Sequence, residues 1–360
     1  MAAGASSPRT GPSDWSFEQT GYSPAMGLSL GIGLTNACDL DCSHCYRPQG
    51  AVRHLGLAEV ERCLAALDVG SVNLGTGENI LNPALPEVLD ALHARGVRTS
   101  LTSNGLSLLG LDEARLARLH DVEVSIDFPD VEGMDGFRGP GAMARATAAV
   151  RRCVGLGLPV TVLAVMMRTN WDQLADVAHL ASSLGASFRI NVYQPVHGED
   201  LMPSWQQFWD GFRLLFERTA LVTCTEPVVL AALGMERDGG CGCGNKSVRL
   251  TPSGSVLPCV YWPTPATTIE SLEPNSQAAL LQSAEFQACR TVPDACQSCP
   301  LVATCGGGCP ARRRLMGALN EPDPYCPLKG DEPVRLTAAL GPNLELLHAS
   351  NVCTTIVSAD

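Results

Sequence analysis

The octapeptide Cys38-Asp39-Leu40-Asp41-Cys42-Ser43-His44-Cys45 follows directly on an apolar run, Leu28-Ser29-Leu30-Gly31-Ile32-Gly33-Leu34-Thr35. Its cysteines are spaced C-x3-C-x2-C. Three thiolates on one tight loop can hold three irons of a cubane [4Fe–4S] cluster and leave the fourth iron without a protein ligand. An open metal position allows a small molecule to be ligated and activated, as in catalytic rather than structural metal sites. Taken alone, the loop also admits a zinc site completed by His44 or by a distant residue.

Outward from this loop the chain alternates between short β-branched or leucine-rich runs and longer amphipathic ones. The spacing predicts strands over 28–35, 71–74, 97–102, 122–126, 160–166 and 188–193. It predicts helices over 57–67, 85–95, 112–119, 142–156 and 171–184, with a further helix over 205–219 closing the array. Repeated βαβ units imply an α/β fold with a parallel sheet and functional groups at the C-terminal ends of its strands. Residues 1–25 are rich in Ala, Gly, Ser, Pro and Thr and read as a tail. After about residue 221 the texture changes to Gly-Gly-Cys-Gly-Cys-Gly and scattered prolines, as expected of a loop-rich module held by metal. Residues 331–360 carry no chemical signal, and no internal repeat is present.

Composition narrows the classes. At ~150 residues per domain, 360 residues suggest two domains. With 45% hydrophobic and 17% charged residues, a sizeable core is available and global disorder is excluded. Lys and Arg number 25 against 37 Asp and Glu, a net charge of −12 that offers no general attraction to nucleic acid or to an anionic membrane. The richest apolar stretch, residues 156–167, is shorter than the ~18 residues of a membrane span and is broken by Gly157 and Pro159. No export signal opens the chain, so a cytoplasmic protein is expected and its 16 cysteines should be reduced thiols available to metal or redox chemistry.

Those cysteines lie in two zones, with only Cys63, Cys153 and Cys224 between them. The second zone holds Cys241-Gly-Cys243, then Gly254-Ser-Val-Leu-Pro-Cys259, then Cys296-Gln-Ser-Cys299-Pro-Leu-Val-Ala-Thr-Cys305-Gly-Gly-Gly-Cys309, and finally Cys326. Structural zinc is the competing reading of these C-x2-C pairs. Cys63 and Cys153 fall in helical patterns and read as buried small hydrophobes. Arg312-Arg313-Arg314 reads as a solvated charge run.

The first loop, placed after the first strand of a β/α array, resembles the signature of the radical S-adenosylmethionine (radical SAM) family over about residues 28–220. Gly75-Thr76-Gly77-Glu78 resembles the family's Gly-Gly-Glu segment, although Thr76 interrupts it and Asn79 stands where proline is frequent. Thr102-Ser103-Asn104-Gly105 is similar to its Thr-Asn-Gly turn. The resemblance implies that His44, Gly75, Gly77, Glu78, Asn104, Ser125, Asp127 and Arg138 surround S-adenosylmethionine bound at a cluster held by Cys38, Cys42 and Cys45. It implies a partial (β/α)6 barrel, and reductive cleavage of the cofactor to a 5′-deoxyadenosyl radical that abstracts hydrogen from a C–H bond.

The second zone resembles the SPASM extension of that family, which binds two auxiliary [4Fe–4S] clusters. Carried over, its pattern assigns one cluster to Cys243, Cys259 and Cys309, with Cys241 as fourth ligand. The other falls to Cys296, Cys299, Cys305 and Cys326. The expected domains are a tail over 1–25, a radical SAM core over 26–220, a SPASM domain over 221–330 and an extension over 331–360. Cys224, Cys289 or Cys241 could donate hydrogen to a product radical, and Glu199 could act on substrate polar groups. An electron donor such as flavodoxin or ferredoxin is implied. The favoured substrate is a small specialised metabolite (a sugar, aminoglycoside or nucleoside) undergoing dehydrogenation, epimerisation or decarboxylation. The alternative is maturation of a ribosomally made peptide or protein; the metabolite is preferred because the 37 residues before Cys38 leave no room for a leader-binding domain. A non-catalytic iron–sulfur or zinc protein is a third reading.

Overall fold

The computed structural model describes residues 27–235, 241–341 and 353–359; the expected tail over 1–25 lies outside the described residues. Strands β1 (Leu28–Ile32), β2 (Val69–Leu74), β3 (Arg98–Ser103), β4 (Asp121–Ser125), β5 (Val160–Met166) and β6 (Ser187–Val192) pair in that order, every pair parallel. All five residues of β1 are buried. A parallel sheet is covered by its crossover helices, so strands such as β1 and β5 read as apolar runs rather than alternations. The covering helices Leu57–Ala66, Leu85–Ala94, Ala142–Gly155 and Leu174–Ser183 lie in the positions their patterns indicate, and each turns its apolar face to the sheet.

Local chemistry sets the differences. The run 112–119 forms only a short helix, Glu113–Leu116, whose start is fixed by Asp112 accepting the Arg115 N–H. A helix that the patterning does not show, Val131–Arg138, forms despite Gly133 and Gly136 because Asp130 accepts the Gly133 N–H and Met134 packs into the core. The helix Trp205–Arg218 carries a full capping box from Ser204 and Gln207.

The sheet continues beyond the six parallel strands. β7 (Ala220–Cys224) follows the Trp205–Arg218 helix, and β8 (Ser247–Leu250) from the cysteine-rich segment pairs parallel with β1. β9 (Ser255–Leu257) and β10 (Thr267–Thr268) extend that edge as antiparallel strands, and β11 (Ala339–Leu340) pairs with β7. β12 (Thr355–Ser358) inserts antiparallel between β6 and β7. The strand order among the described residues is β10-β9-β8-β1-β2-β3-β4-β5-β6-β12-β7-β11. The loop after β6 returns to the loop after β1, where His197 Nε2 donates to the Cys45 carbonyl at 2.8 Å. The parallel run therefore curves into an open barrel. No helix among the described residues is long and apolar enough to cross a membrane.

Two sequence expectations need correction. The C-terminal residues carry a strand whose Ile356 and Val357 are fully buried, and it delivers Cys353 to a cluster of thiols. Arg312 and Arg313 do not form a solvated run: both are buried. Arg312 pairs with Glu226 at 2.9 Å and with Asp323 at 2.7 Å, and its guanidinium lies over the Tyr325 ring. Arg313 donates to the carbonyls of Leu319 and Thr291. A segment with few apolar residues uses the fixed fork of arginine to satisfy buried carbonyls and acids.

Candidate active site

The C-terminal ends of β1–β6 open on one cavity of about 180 Å³. Cys38, Cys42 and Cys45 line one side of it; Gly75, Gly77, Glu78, Asn104, Ser125, His44 and Arg138 line the parts nearest them. Across the cavity stand Cys243, Cys259, Cys309 and Cys353. The sequence-derived residues of both zones are thus brought to one cleft, with the exceptions given below.

The cysteine loop is held from several sides. Asn36 takes up the turn after β1, accepting the Arg53 N–H at 2.7 Å and donating to the Ala51 carbonyl at 3.0 Å. Arg47 donates to the Asn36 carbonyl at 2.9 Å, and Asp39 pairs with Arg145 and accepts from Asn104 Nδ2. Burial pushes the Cys38 thiol up to about 11 and raises Cys42 as well. These groups are thiols until a metal displaces their protons.

Gly77 is required by geometry. Its φ is +66°, and a Cβ there would stand 2.4 Å from the Thr35 carbonyl oxygen and 2.6 Å from that of Ala37. Glu78, 1% exposed, accepts from Ser103 Oγ at 2.6 Å and from the backbone N–H groups of Ser107 and Asn104 at 2.7 and 2.9 Å. Its carboxylate holds the turn after β3, and that turn aims Asn104 Nδ2 at Asp39 Oδ1 and, at 3.7 Å, at Cys38 Sγ. Asp127 is fully buried behind the cleft. It accepts from Arg138 Nε at 2.7 Å and from the Val165 N–H, and so orients the guanidinium that lines the cavity. His44 stacks on Phe137 with centroids 5.0 Å apart. Burial lowers its pKa to about 4, so the imidazole is neutral at pH 7.

The deeper wall is polar. Asn73 donates to Thr102 Oγ1 at 3.0 Å, Thr102 donates to Glu123, and Glu123 pairs with Arg189. Arg249 reaches the same space by crossing β1 at Gly31, where any Cβ would collide with its guanidinium, and it forms no ion pair with a described residue. An adjoining cavity of about 270 Å³ shares Tyr46, Gly75, Arg249 and Tyr261 with the first. Tyr46 donates to the Gly75 carbonyl at 2.7 Å and meets Tyr261 edge-on. Tyr46, Tyr261, Arg249, His197 and Cys353 escape the sequence reading. Only Cys353 offered a signal, as a cysteine left without a role.

Other expected residues stand elsewhere. Glu199 is exposed on the loop after β6, outside both cavities. Cys224 is buried at the end of β7 beside Thr355 Oγ1, away from the cleft. Cys289 is buried in the apolar cluster around Cys243 and Cys259, and Cys241 packs against that cluster. Cys63 and Cys153 are fully buried in helices. Cys296, Cys299, Cys305 and Cys326 surround a separate small cavity together with Asp323.

Among the described residues no three His, Cys, Asp or Glu side chains enclose a position for a single metal ion. Thiolates of a cubane would not do so, since each binds a different iron of the cube. All-thiol sets, one of three and two of four or more, are the donor sets that iron–sulfur clusters take.

Residues 32–181 match the radical SAM superfamily, and residues 241–300 match SPASM, an iron–sulfur cluster-binding domain. The chain is 30% identical over 345 residues to the mycofactocin maturase MftC of Mycobacterium tuberculosis, covering 83% of each chain. It is 29% identical over 339 residues to the PqqA peptide cyclase of Ruegeria pomeroyi, covering 85% of this chain and 90% of that one. Among solved structures, Streptococcus suis SuiB bound to S-adenosylmethionine superposes with a TM-score of 0.63 at 16% identity, over 84% of this chain and 78% of that one. The protein belongs to the radical SAM superfamily, in the branch that carries a SPASM domain, and its cofactors are [4Fe–4S] clusters and S-adenosylmethionine.

Proposed function

We propose that this radical SAM enzyme matures a peptide, forming a new bond or unsaturation at an unactivated C–H position of a ribosomally made precursor. The observation that carries the reading is similarity over most of the chain to a mycofactocin maturase and to a PqqA peptide cyclase. It favours the peptide alternative over a sugar, aminoglycoside or nucleoside. Reduced by one electron, the cofactor pair supplies the radical that takes the hydrogen atom.

The chain's own residues arrange what surrounds that event. Arg138, held by Asp127, offers a fixed cation to a carboxylate, and Asn104 offers an amide beside Cys38. The neutral His44 ring gives a flat apolar surface. The two cavities adjoin across Tyr46, Arg249 and Tyr261, and together they offer room for a peptide side chain beside the cysteine loop. Arg249 and the Glu123–Arg189 pair provide its polar contacts. The electron is delivered by a flavodoxin- or ferredoxin-type donor in the cytoplasm.

The test is anaerobic turnover of the reconstituted protein with S-adenosylmethionine, a reductant and a panel of short precursor peptides that includes PqqA and SuiA, fully deuterated in turn at each residue type. Deuterium in 5′-deoxyadenosine together with a mass change in the peptide is expected. Deuterium transferred from a sugar or nucleoside, with none from peptide, overturns the proposal.

A further inference from the structure

Six thiols, Cys289 among them, gather at the auxiliary site that faces the cleft, two more than a four-iron cubane takes. Cys243, Cys259 and Cys309 are joined by both Cys241 and Cys353, whose sulfurs stand 2.7 Å apart. Position separates the three contenders for the fourth iron, Cys241, Cys289 and Cys353. Cys353 lines the cavity with Cys243, Cys259 and Cys309, whereas Cys241 and Cys289 do not. Cys241 Sγ accepts the backbone N–H of Cys243 at 3.4 Å, a bond made within its own loop.

The backbone of the C-terminal segment is also the better anchored. Thr354, next to Cys353, donates through Oγ1 to the Ile190 carbonyl at 3.0 Å and accepts there from Arg189 Nε at 2.9 Å. Its N–H donates to Thr225 Oγ1 at 3.1 Å, and its carbonyl accepts the Thr225 N–H at 2.7 Å. From Thr355 onward the chain is locked between β6 and β7. A ligand held by a strand of the main sheet is placed more precisely than one on a glycine-flanked loop.

We propose that Cys353 supplies the fourth thiolate of the cleft-side auxiliary cluster, with Cys243, Cys259 and Cys309, and that Cys241 remains an unligated thiol beside it. Ligation releases the Cys353 proton and forms one iron–sulfur bond, with no change of oxidation state. The cluster then ties β12 to the cysteine-rich segment, so the C-terminal strand and the auxiliary site stabilise each other. The inference rests on the SPASM assignment and is independent of the substrate.

The experiment uses the full chain with Cys38, Cys42 and Cys45 replaced by alanine, so that only auxiliary clusters remain. Iron and sulfide content and EPR spectra are measured for this parent and for added Cys353→Ala, Cys241→Ala and Cys353→Ser. The parent should hold about eight irons. Cys353→Ala should lose between one and four of these, with a three-iron EPR signal or none from the cleft-side cluster. The signal of the cluster at Cys296, Cys299, Cys305 and Cys326 should persist, which shows that the fold is intact. Cys241→Ala should match the parent. Full iron and an unchanged spectrum in Cys353→Ala overturn the proposal, as does iron loss confined to Cys241→Ala. If Cys353→Ala loses both clusters, Cys353→Ser decides: an altered spectrum from an oxygen ligand supports the proposal, and a parental spectrum overturns it.

Discussion

Replacing Glu78 with glutamine separates two roles that its position allows. The resemblance places Glu78 against the cofactor, but in the fold its two oxygens already receive three donors from the turn after β3. Glutamine keeps one acceptor and turns an NH2 group toward donors it cannot accept from. Hydrogen bonds to a charged group are worth about 1.5–3 kcal/mol each, and an orphaned buried donor costs about 1–3 kcal/mol. Glu78→Gln should therefore destabilise the protein by roughly 2–4 kcal/mol, lowering the unfolding temperature by about 3–5 °C. Affinity for S-adenosylmethionine should fall only through the loosened Asn104 turn, by less than about tenfold, or ~1.4 kcal/mol. The assays are anaerobic thermal unfolding and equilibrium binding of the cofactor to the reconstituted protein. An unchanged unfolding temperature with binding weakened more than about thirtyfold would refute the reasoning and make Glu78 a direct contact.

Arg312→Met should cost about 3–5 kcal/mol, because it leaves Glu226 and Asp323 buried and uncompensated. Urea unfolding of Arg312→Met and of Arg312→Met/Glu226→Gln checks this, with the double variant recovering part of the loss. Gly77→Ala forces a side chain into a left-handed conformation costing about 1–2 kcal/mol and drives its Cβ into two carbonyls; iron retention by the Cys38 loop, measured after gel filtration, should drop. Arg249→Gln should leave stability within about 0.5 kcal/mol, as the side chain holds no ion pair with a described residue, while lowering product formed per 5′-deoxyadenosine. A fall in unfolding temperature without a change in that ratio would assign Arg249 a structural role.

The six parallel strands were legible because each is a short run rich in leucine or in β-branched residues, and most are separated by a helix-length amphipathic run, so local pattern and global fold agree. The Val131–Arg138 helix was hidden by its two glycines, whose poor propensity is overridden by the Asp130 cap and by packing of Met134. The buried arginines were misread because three adjacent cations carry no mark of the acids and carbonyls that later surround them. Asp127 and Glu78 stand just past β4 and β2, where the sequence places them, but their hydrogen-bond partners, Arg138 and the Ser103–Ser107 turn, lie on other elements and leave no local mark in the sequence.

By itself the sequence determined the chemistry of this protein: thiol spacing on a loop is a local property, and a tight loop of three cysteines or a C-x2-C-x5-C run brings three sulfurs together almost regardless of the rest of the chain, whereas Cys309, three residues further on, goes to the other site. Only the tertiary structure decided which remaining groups share the cleft. Cys353 meets Cys241 from 112 residues away, and Arg249 enters through a notch at Gly31. Both contacts depend on strand pairings between distant segments, β12 with β6 and β8 with β1, for which neighbouring residues hold no periodic signal.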